Sequence, residues 1–275
     1  MQKHYHVIIL GAGDLGSRLA LQLHHQNQSV LAIKRTPDVT PRPYAMAYLD
    51  LTGNTEALAE LSCNVLIYSV AAASQMPESY RQSYYHGLHH ALQRVQHQHC
   101  IFVSSTRVYG QADADWVTEQ TPAQPADEQG HILLAAEGLL TDNDCSVRLA
   151  GIYGPQRTRM IRLARQGSWL DQLTFSNRIH IEDAVALIGF LCNRWQSGLS
   201  NPVVVLGCDG EGASHEQVLQ WLRERLNVPP QASAKLTMPV GKRCRSAWLQ
   251  NNGFQFSYPD FRSGYEALLE DELRI

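Results

Sequence analysis

The sequence predicts an α/β protein built on a doubly wound parallel sheet, followed by a small C-terminal cap. Short apolar runs alternate with segments of helical period through the first half of the chain. The runs are apolar throughout, as in strands that helices cover on both faces. A glycine-rich turn joins the first run to the first helical segment. Because parallel strands need crossover connections, which are usually helical, this alternation favours a doubly wound sheet.

The predicted elements follow one another in a regular order. Residues 6–10 form an apolar strand, and leucines at positions 15, 19 and 23 give a helix over 14–26 one apolar face. Further buried strands are predicted at 29–33, 64–70, 100–104 and 145–149. A helix-like segment separates most neighbouring strands, as the fold requires.

The pattern loosens after about residue 155. The chain continues with an arginine-rich helix (157–166), a strand-like segment (177–181), an apolar helix (183–195), an apolar strand (203–206) and a helix opened by a Ser214–Gln217 capping box. The tail is helix-like up to Gly253. We predict a first domain over 1–155 and a smaller substrate-side region over 156–275, with the chain returning to the first domain at about 177–206.

The composition is that of an ordinary globular protein. Of 275 residues, 44% are hydrophobic and 18% charged, and the net charge of −3 disfavours binding to nucleic acid through its phosphates. No apolar run approaches the ~18 to 20 residues that span a bilayer, and the N-terminus lacks a secretory signal. Six scattered cysteines without a CxxC pair indicate reduced thiols. We expect a soluble, cytoplasmic protein bound to neither membrane nor nucleic acid.

Residues 11–16 carry a G-x-G-x-x-G motif between the first strand and the first helix. Gly11 permits a tight turn, Gly13 lets the backbone approach a pyrophosphate, and Gly16 lets the helix pack closely on the strand. Asp14 and Leu15 begin the helix, whose N–H groups and positive end face the anion. The alternative is a strand-to-helix turn without a ligand. The context favours a dinucleotide site of the Rossmann type.

The end of the second strand predicts which dinucleotide is bound. An NAD site usually places a carboxylate there to hold the ribose 2′-hydroxyl. This chain has Lys34 and Arg35 instead, and the next acid is Asp38, beyond Pro37. Cations at this place suit the 2′-phosphate of NADP, with Arg35 the better bidentate partner. The alternative is a solvated Lys-Arg pair. We predict NADP rather than NAD.

Four further segments carry a family resemblance. They are SSTRVYG (104–110), RLAGIYGP (148–155), NRIHIEDA (177–184) and the tail GFQFSYPDFRSGYEALL (253–269). With the glycine loop, they resemble the extended short-chain dehydrogenase/reductases, also called the NAD-dependent epimerase/dehydratase family. The resemblance covers essentially the whole chain, and it is closest to the short, atypical members.

The resemblance implies a site at the C-terminal ends of the strands. Ser105 matches the catalytic Ser/Thr of the family, and His180 and Asp183 match an architectural motif. The cofactor contacts implied beside the glycine loop and the Lys34–Arg35 pair are Asp50 and Leu51 on the adenine side, Val70, Ala71 and Ala72 under the ribose, and Ser104. The candidate substrate contacts are Thr106, Tyr153, Arg157 and Arg159.

The chain departs from the family at its central catalytic pair. Family members use a Tyr-x-x-x-Lys pair on one helix face, where the ammonium lowers the tyrosine pKa. The matching positions here are Gln129 and Leu133, and no tyrosine in the chain is followed four residues later by lysine. The acid and base positions of the dehydratase branch hold Thr106 and Arg107. Standard tyrosine-driven hydride transfer and sugar 4,6-dehydration are therefore not expected.

Each residue that could replace the missing catalytic pair also has a purely structural interpretation. Histidine is a common proton-transfer group, and His131 lies close to the lost tyrosine, but it also fits an exposed helix-end histidine. Tyr109 fits either a catalytic hydroxyl or a packing residue that pins a loop. Four arginines on the helix after Pro155 fit either an anion clamp or a solvated face: Arg157, Arg159, Arg162 and Arg165.

A histidine-rich segment lies in a predicted helix over 76–97. His86, His89, His90 and His97 fall opposite an apolar face, without a nearby carboxylate, so a functional metal site is disfavoured. In relatives this helix often forms a dimer interface, and the resemblance therefore implies a homodimer.

Two functions remain. The first is an NAD(P)-binding oxidoreductase or epimerase-like enzyme that acts on a small polar or anionic substrate, including sugar derivatives. The second is a non-catalytic sensor or regulatory protein that binds NADP(H).

Overall fold

The computed structural model describes residues 3–53, 55–167, 174–229 and 240–272. The strands are β1 (Lys3–Leu10), β2 (Val30–Lys34), β3 (Ala45–Tyr48), β4 (Leu61–Tyr68), β5 (Gln96–Ser105), β6 (Asp113–Val117), β7 (Cys145–Leu149), β8 (Gly151–Tyr153), β9 (Arg178–His180), β10 (Val204–Gly207) and β11 (Gly241–Cys244). Seven of them form one sheet in the order β10-β7-β5-β4-β1-β2-β3.

The helices follow the alternation that the sequence predicts. They are α1 (Asp14–His25), α2 (Pro77–Tyr80), α3 (Gly87–Arg94), α4 (Glu128–Glu137), α5 (Arg159–Arg165), α6 (Ile181–Gln196), α7 (His215–Leu226), α8 (Ala247–Asn251) and α9 (Phe261–Glu272). A π-helix (Arg81–His86) joins α2 to α3. Short 3-10 helices cover Glu56–Glu60 and Thr106–Val108.

The sheet has its switch point beside the first strand. β1 pairs in parallel with β2 on one side and with β4 on the other, and β2 and β4 pair in parallel with β3 and β5. The chain therefore winds outward in both directions from β1, and the predicted doubly wound sheet is confirmed. In such sheets ligands bind outside the carboxyl ends of the strands, where the winding reverses.

Four local expectations were wrong. β3 was not predicted, because its residues (AMAY) are half exposed at the sheet edge and carry no buried apolar run. The predicted helix over 76–97 ends at Arg94, and His97 lies in β5 instead. The expected single helix is interrupted by the π-helix. In the tail, Gly241–Cys244 forms a strand rather than a helix.

The chain divides into two compact units. The first comprises Met1–Val108, Pro125–Arg148 and Val185–Val205, and the second comprises Tyr109–Gln124, Leu149–Ala184 and Leu206–Ile275. The sequence-based division at residue 155 differs from this result. Residues 109–124 and 149–155 belong to the second unit, and the return to the first unit covers 185–205 only.

The second unit has its own hydrophobic core. Helices α5, α7 and α9 supply most of it, and their fully buried side chains include Ile161, Leu222 and Phe261. The predicted capping box opens α7: the Ser214 hydroxyl accepts the Gln217 N–H, and the Gln217 side chain accepts the Ser214 N–H. Two small parallel pairs, β6 with β11 and β8 with β9, complete the unit.

The six cysteine side chains, all within the described residues, are buried free thiols. Burial raises the pKa of every one of them, so the thiolate form is disfavoured. Among the described helices, none combines the length and the apolar character that crossing a membrane requires.

Candidate functional site

The three motif glycines have different surroundings. Gly11 has a positive φ of 98°, and a Cβ there would lie 2.6 Å from the Ser69 carbonyl carbon and the Val70 nitrogen. A Cβ on Gly16 would lie 2.5 Å from the Gly11 oxygen, whereas one on Gly13 would meet nothing within 4 Å. Gly11 and Gly16 therefore hold the turn closed, and Gly13 leaves open space in front of α1.

Helix α1 begins directly after this turn. The first N–H groups of any α-helix lack intrahelical acceptors, and together with the helix dipole they attract anions. Asp14 places a carboxylate in the first turn, but it is paired with Arg18 Nε at 2.8 Å. Leu15 is half-buried beside it. The ion pair limits the repulsion that Asp14 would exert on a bound pyrophosphate.

The end of β2 is cationic, and its charges are arranged around one acid. Lys34 Nζ donates to Asp38 Oδ2, and Arg42 Nη2 lies 3.8 Å from the same oxygen. The hydrogen bond from Lys34 holds the pKa of Asp38 below its ordinary value. Arg35 is exposed next to Lys34. Three cations and one carboxylate leave a net positive charge at this place.

The two residues expected on the adenine side lie after β3. Asp50 is exposed, and its Oδ1 accepts the Thr52 N–H at 3.0 Å and the Thr52 hydroxyl at 2.7 Å. These bonds, with a smaller contribution from Arg35, lower the pKa of Asp50. Leu51 is buried. Asp50 is therefore ionised at neutral pH and faces the same cationic region.

The segment after β4 is tied to the phosphate loop. The Ser69 N–H donates to the Leu10 carbonyl at 2.8 Å, and the Ser69 hydroxyl donates to the Gly11 carbonyl at 3.0 Å. The residues expected under the ribose, Val70, Ala71 and Ala72, follow at once. This segment and the phosphate loop thus flank the switch point from opposite sides.

The end of β5 carries two serines with different partners. The Ser104 hydroxyl donates to Glu137 Oε1 at 2.6 Å, and Glu137 also pairs with Arg148 at 2.6 Å. The Ser104 side chain is therefore committed to a buried ion pair, which leaves only its backbone for a cofactor. Ser105 is half-buried, and its hydroxyl oxygen accepts the Arg107 N–H at 3.2 Å.

Neither position of helix α4 that corresponds to the missing Tyr-Lys pair holds an acid or a base. Gln129 donates its side-chain amide to the Gln75 carbonyl at 2.7 Å, and Leu133 is buried. His131 is exposed, and its Nδ1 lies 2.8 Å from the Asp127 carbonyl one turn earlier. This contact fits the helix-end alternative for His131 better than a catalytic role.

Arg107 is a site residue that the sequence analysis did not select. Its Nε contacts both Asp127 oxygens at 2.9 and 3.0 Å, and its Nη1 donates to Gln75 and Tyr80. The neighbouring Thr106, expected to contact substrate, is buried instead. The signal for Arg107 was its place in the family motif, where relatives carry an acid. Its guanidinium is fixed where relatives carry that acid, and Asp127 balances its charge.

The remaining predicted site residues belong to the second unit. Tyr109 is buried, and its hydroxyl donates to the Thr118 carbonyl at 3.1 Å, which fits the packing role. Tyr153 is also buried, against His180 and Tyr265, so it is a core residue rather than an open substrate contact. Arg157 and Arg159 are exposed at the start of the α5 region.

The second unit also holds a buried polar cluster that no sequence pattern indicated. Arg178 is buried, its Nη2 donates to the Ala213 carbonyl at 3.3 Å, and its Nη1 has no partner among the described residues. Burial raises the pKa of Asp209 to about 6, although Arg178 opposes this shift. Burial, followed by Arg178 and Arg159, lowers the pKa of His215.

A glycine loop that opens a helix at the switch point of a doubly wound parallel sheet defines a dinucleotide-binding protein of the Rossmann type. The chain belongs to the NAD-dependent epimerase/dehydratase family, whose family model matches residues 7–207. The resemblance seen in the sequence is thereby confirmed.

Solved structures share this fold. A Methylobacillus flagellatus protein named as an NAD-dependent epimerase/dehydratase is 32% identical, with 98% of each chain covered and a TM-score of 0.86. MoeE5, solved with UDP-glucose and NAD, is 21% identical, with 98% of each chain covered and a TM-score of 0.78. Bordetella bronchiseptica WbmG, solved with NAD, is 19% identical over 98% of this chain and 94% of that chain, with a TM-score of 0.76. No curated protein matches the chain.

Proposed function

We propose that the protein binds NADP(H) in preference to NAD(H) and acts on a small polar or anionic substrate without a Tyr-Lys pair. The observation that carries this proposal is the cationic end of β2, where Lys34 and Arg42 approach Asp38 and the exposed Arg35 lies next to Lys34. An NAD site needs an acceptor there for the ribose 2′-hydroxyl, whereas a 2′-phosphate needs cations. Asp38, the nearest acid, already accepts from Lys34 and Thr40.

The residues at the strand ends fit the nicotinamide half of such a cofactor. A bound nicotinamide would supply or accept a hydride, and a proton donor or acceptor must then serve the substrate oxygen. Ser105 is suited to that contact because its oxygen accepts the Arg107 N–H and its own proton can be donated.

Isothermal titration calorimetry with NADP and NAD tests the cofactor preference. We expect the wild type to bind NADP at least tenfold more tightly, and Arg35→Ser to lose that advantage while NAD affinity stays unchanged. Lys3→Ser, at the exposed start of β1, is the matched control because it removes the same charge from the first unit elsewhere. Equal or tighter binding of NAD by the wild type would contradict the proposal.

One observation favours the sensor as a second candidate. Neither α4 position of the family's pair holds an acid or base, and Leu133 is buried. NADPH oxidation across a panel of aldehydes, ketones and oxo acids separates the two candidates. Turnover with any of them supports the enzyme, whereas cofactor binding without any turnover supports the sensor.

The cellular setting and assembly are part of the same proposal. We propose a cytoplasmic homodimer, with the helical segment from Pro77 to Arg94 at the interface. The half-buried His86, His89 and His90 lie on this segment and leave polar surface for a partner. Light scattering at micromolar concentration should give the mass of a dimer, and a monomer would contradict the assembly.

A further inference from the structure

The loop after β2 holds a carboxylate in the place where a cofactor phosphate would bind. Lys34 and Arg42 both approach Asp38 through the same oxygen, Oδ2. Two cations that converge on one oxygen form a site for an oxyanion, and here the protein supplies the oxyanion itself. All three side chains are half-buried, with 23 to 31% of their surface exposed.

Hydrogen bonds within the loop hold the Asp38 carboxylate in position. Asp38 Oδ1 accepts the Thr40 N–H at 3.1 Å, which closes an Asx turn, and the Asp38 carbonyl accepts the Tyr48 hydroxyl at 3.0 Å. Each carboxylate oxygen therefore already accepts from a protein donor, Lys34 on Oδ2 and Thr40 on Oδ1. A ribose hydroxyl could use only the remaining lone pairs, beside two cations that compete for the same carboxylate.

We propose that Asp38 is an internal competitor for the 2′-phosphate of NADP, which must release Lys34 and Arg42 from Asp38 before it binds them. The inference rests on the proposed NADP preference. A 2′-phosphate carries up to two negative charges and three acceptor oxygens, so it is a stronger ligand for the two cations than one carboxylate. NAD brings no charge to this place, and Asp38 stays paired when NAD is bound.

Because of this competition, an anion binds these cations only if it can displace Asp38. A free phosphate has only the two cations to bind, and it would have to displace a carboxylate that is held by its own turn. The phosphate of NADP is delivered by a dinucleotide that the glycine loop already holds, so its effective concentration is high. Asp38 therefore allows the 2′-phosphate of NADP to bind and disfavours the binding of unrelated phosphates.

Calorimetry on Asp38→Asn tests the proposal, with NADP, NAD, 2′,5′-ADP and ADP as probes. Removing the charge should raise the affinity for NADP and 2′,5′-ADP about tenfold and leave NAD and ADP unchanged. In a Lys34→Ala background the same change should give a much smaller gain, because the main cation that Asp38 occupies is gone. Glu60→Gln removes one charge from an exposed position of the same unit and should change none of the four affinities.

The possible outcomes separate the inference from the proposed function. If the wild type prefers NADP but Asp38→Asn binds NADP no better, Asp38 is not a competitor and the inference alone fails. If Asp38→Asn weakens NAD binding, Asp38 holds ribose hydroxyls instead, and the inference is overturned. If the wild type prefers NAD or binds neither dinucleotide, the proposed function fails, and the inference that rests on it fails with it.

Discussion

The three glycines of the phosphate loop differ in what an added methyl group would meet. Gly16→Ala places a Cβ 2.5 Å from the Gly11 oxygen, so the turn must open, and we expect a loss of about 1–3 kcal/mol in unfolding free energy. Gly13 has a φ of −75° and open space, so Gly13→Ala should fold normally. Its methyl group lies where a pyrophosphate would approach, so dinucleotide affinity should fall at least tenfold.

Urea unfolding and calorimetry on the two variants separate stability from binding. Gly16→Ala should lower both quantities, and Gly13→Ala should lower only the affinity. If Gly13→Ala binds dinucleotide as the wild type does, the open space before α1 is not the anion site.

Some site residues could be predicted from the sequence because their roles are local. The glycine turn and the Lys34–Arg35 pair depend on neighbours along the chain, and both lie where the motif places them. The partner of Ser104 could not be predicted, since Glu137 lies 33 residues away and meets it only in the fold. The role of Asp38 depends on side-chain geometry within its loop, which no spacing encodes.

Three elements of the first unit meet at one buried ion pair. Glu137 ends α4, Arg148 lies in β7, and Ser104 is the second-last residue of β5; the two charged side chains are each only 7% exposed. Glu137→Gln would leave the guanidinium of Arg148 buried without a counter-charge, which costs about 3–5 kcal/mol. Because Glu137 also holds Ser104, the end of β5 beside Ser105 should become less ordered.

Chemical denaturation measures this cost, and α4 supplies its own control. Glu128 pairs with Arg81 at 3.2 Å on the surface, where both side chains are about half exposed. Glu128→Gln should therefore cost at most about 1 kcal/mol. A similar loss in both variants would show that burial does not determine the strength of the Glu137 pair.

The sequence predicted strands and helices that have strong apolar periods, and it missed those that tertiary contacts create. β3 forms by pairing with the buried β2, although its own residues are half exposed. In the π-helix, the Gly87 N–H bonds to the Gln82 carbonyl, five residues earlier. The Ser83 carbonyl, which would accept that N–H in an α-helix, accepts the Tyr68 hydroxyl instead. A contact from so distant a residue does not change the local hydrophobic period of the sequence.

At the scale of the whole molecule, the two units share one chain that crosses between them five times. The helix α6 begins in the second unit and ends in the first, so neither unit can lose it without disturbing the other. Domain boundaries from the sequence missed this interleaving, because they treated the chain as two successive blocks. We expect the molecule to unfold in a single cooperative transition.

One residue of the second unit, Asp209, should contribute a pH dependence to that transition. Burial raises the pKa of Asp209 to about 6, so the native state binds its proton more tightly than the unfolded chain does. The cost of ionising Asp209 is absent below about pH 4 and complete above about pH 6, and it amounts to at most about 3 kcal/mol. The contribution of Asp209 to stability should therefore fall as the pH rises through this window.

Thermal unfolding of the wild type and of Asp209→Asn between pH 4 and 8 measures this dependence. The comparison cancels other groups, including His215, whose lowered pKa destabilises the protein as the pH falls. The melting temperature of the wild type should drop relative to the variant between pH 4 and 6, and the difference should then stay constant. NADP, which we propose binds the first unit, should stabilise the same transition at every pH, by about 2.7 kcal/mol at one hundred times its dissociation constant. Two separate transitions, only one of which responds to NADP, would show that the units unfold independently.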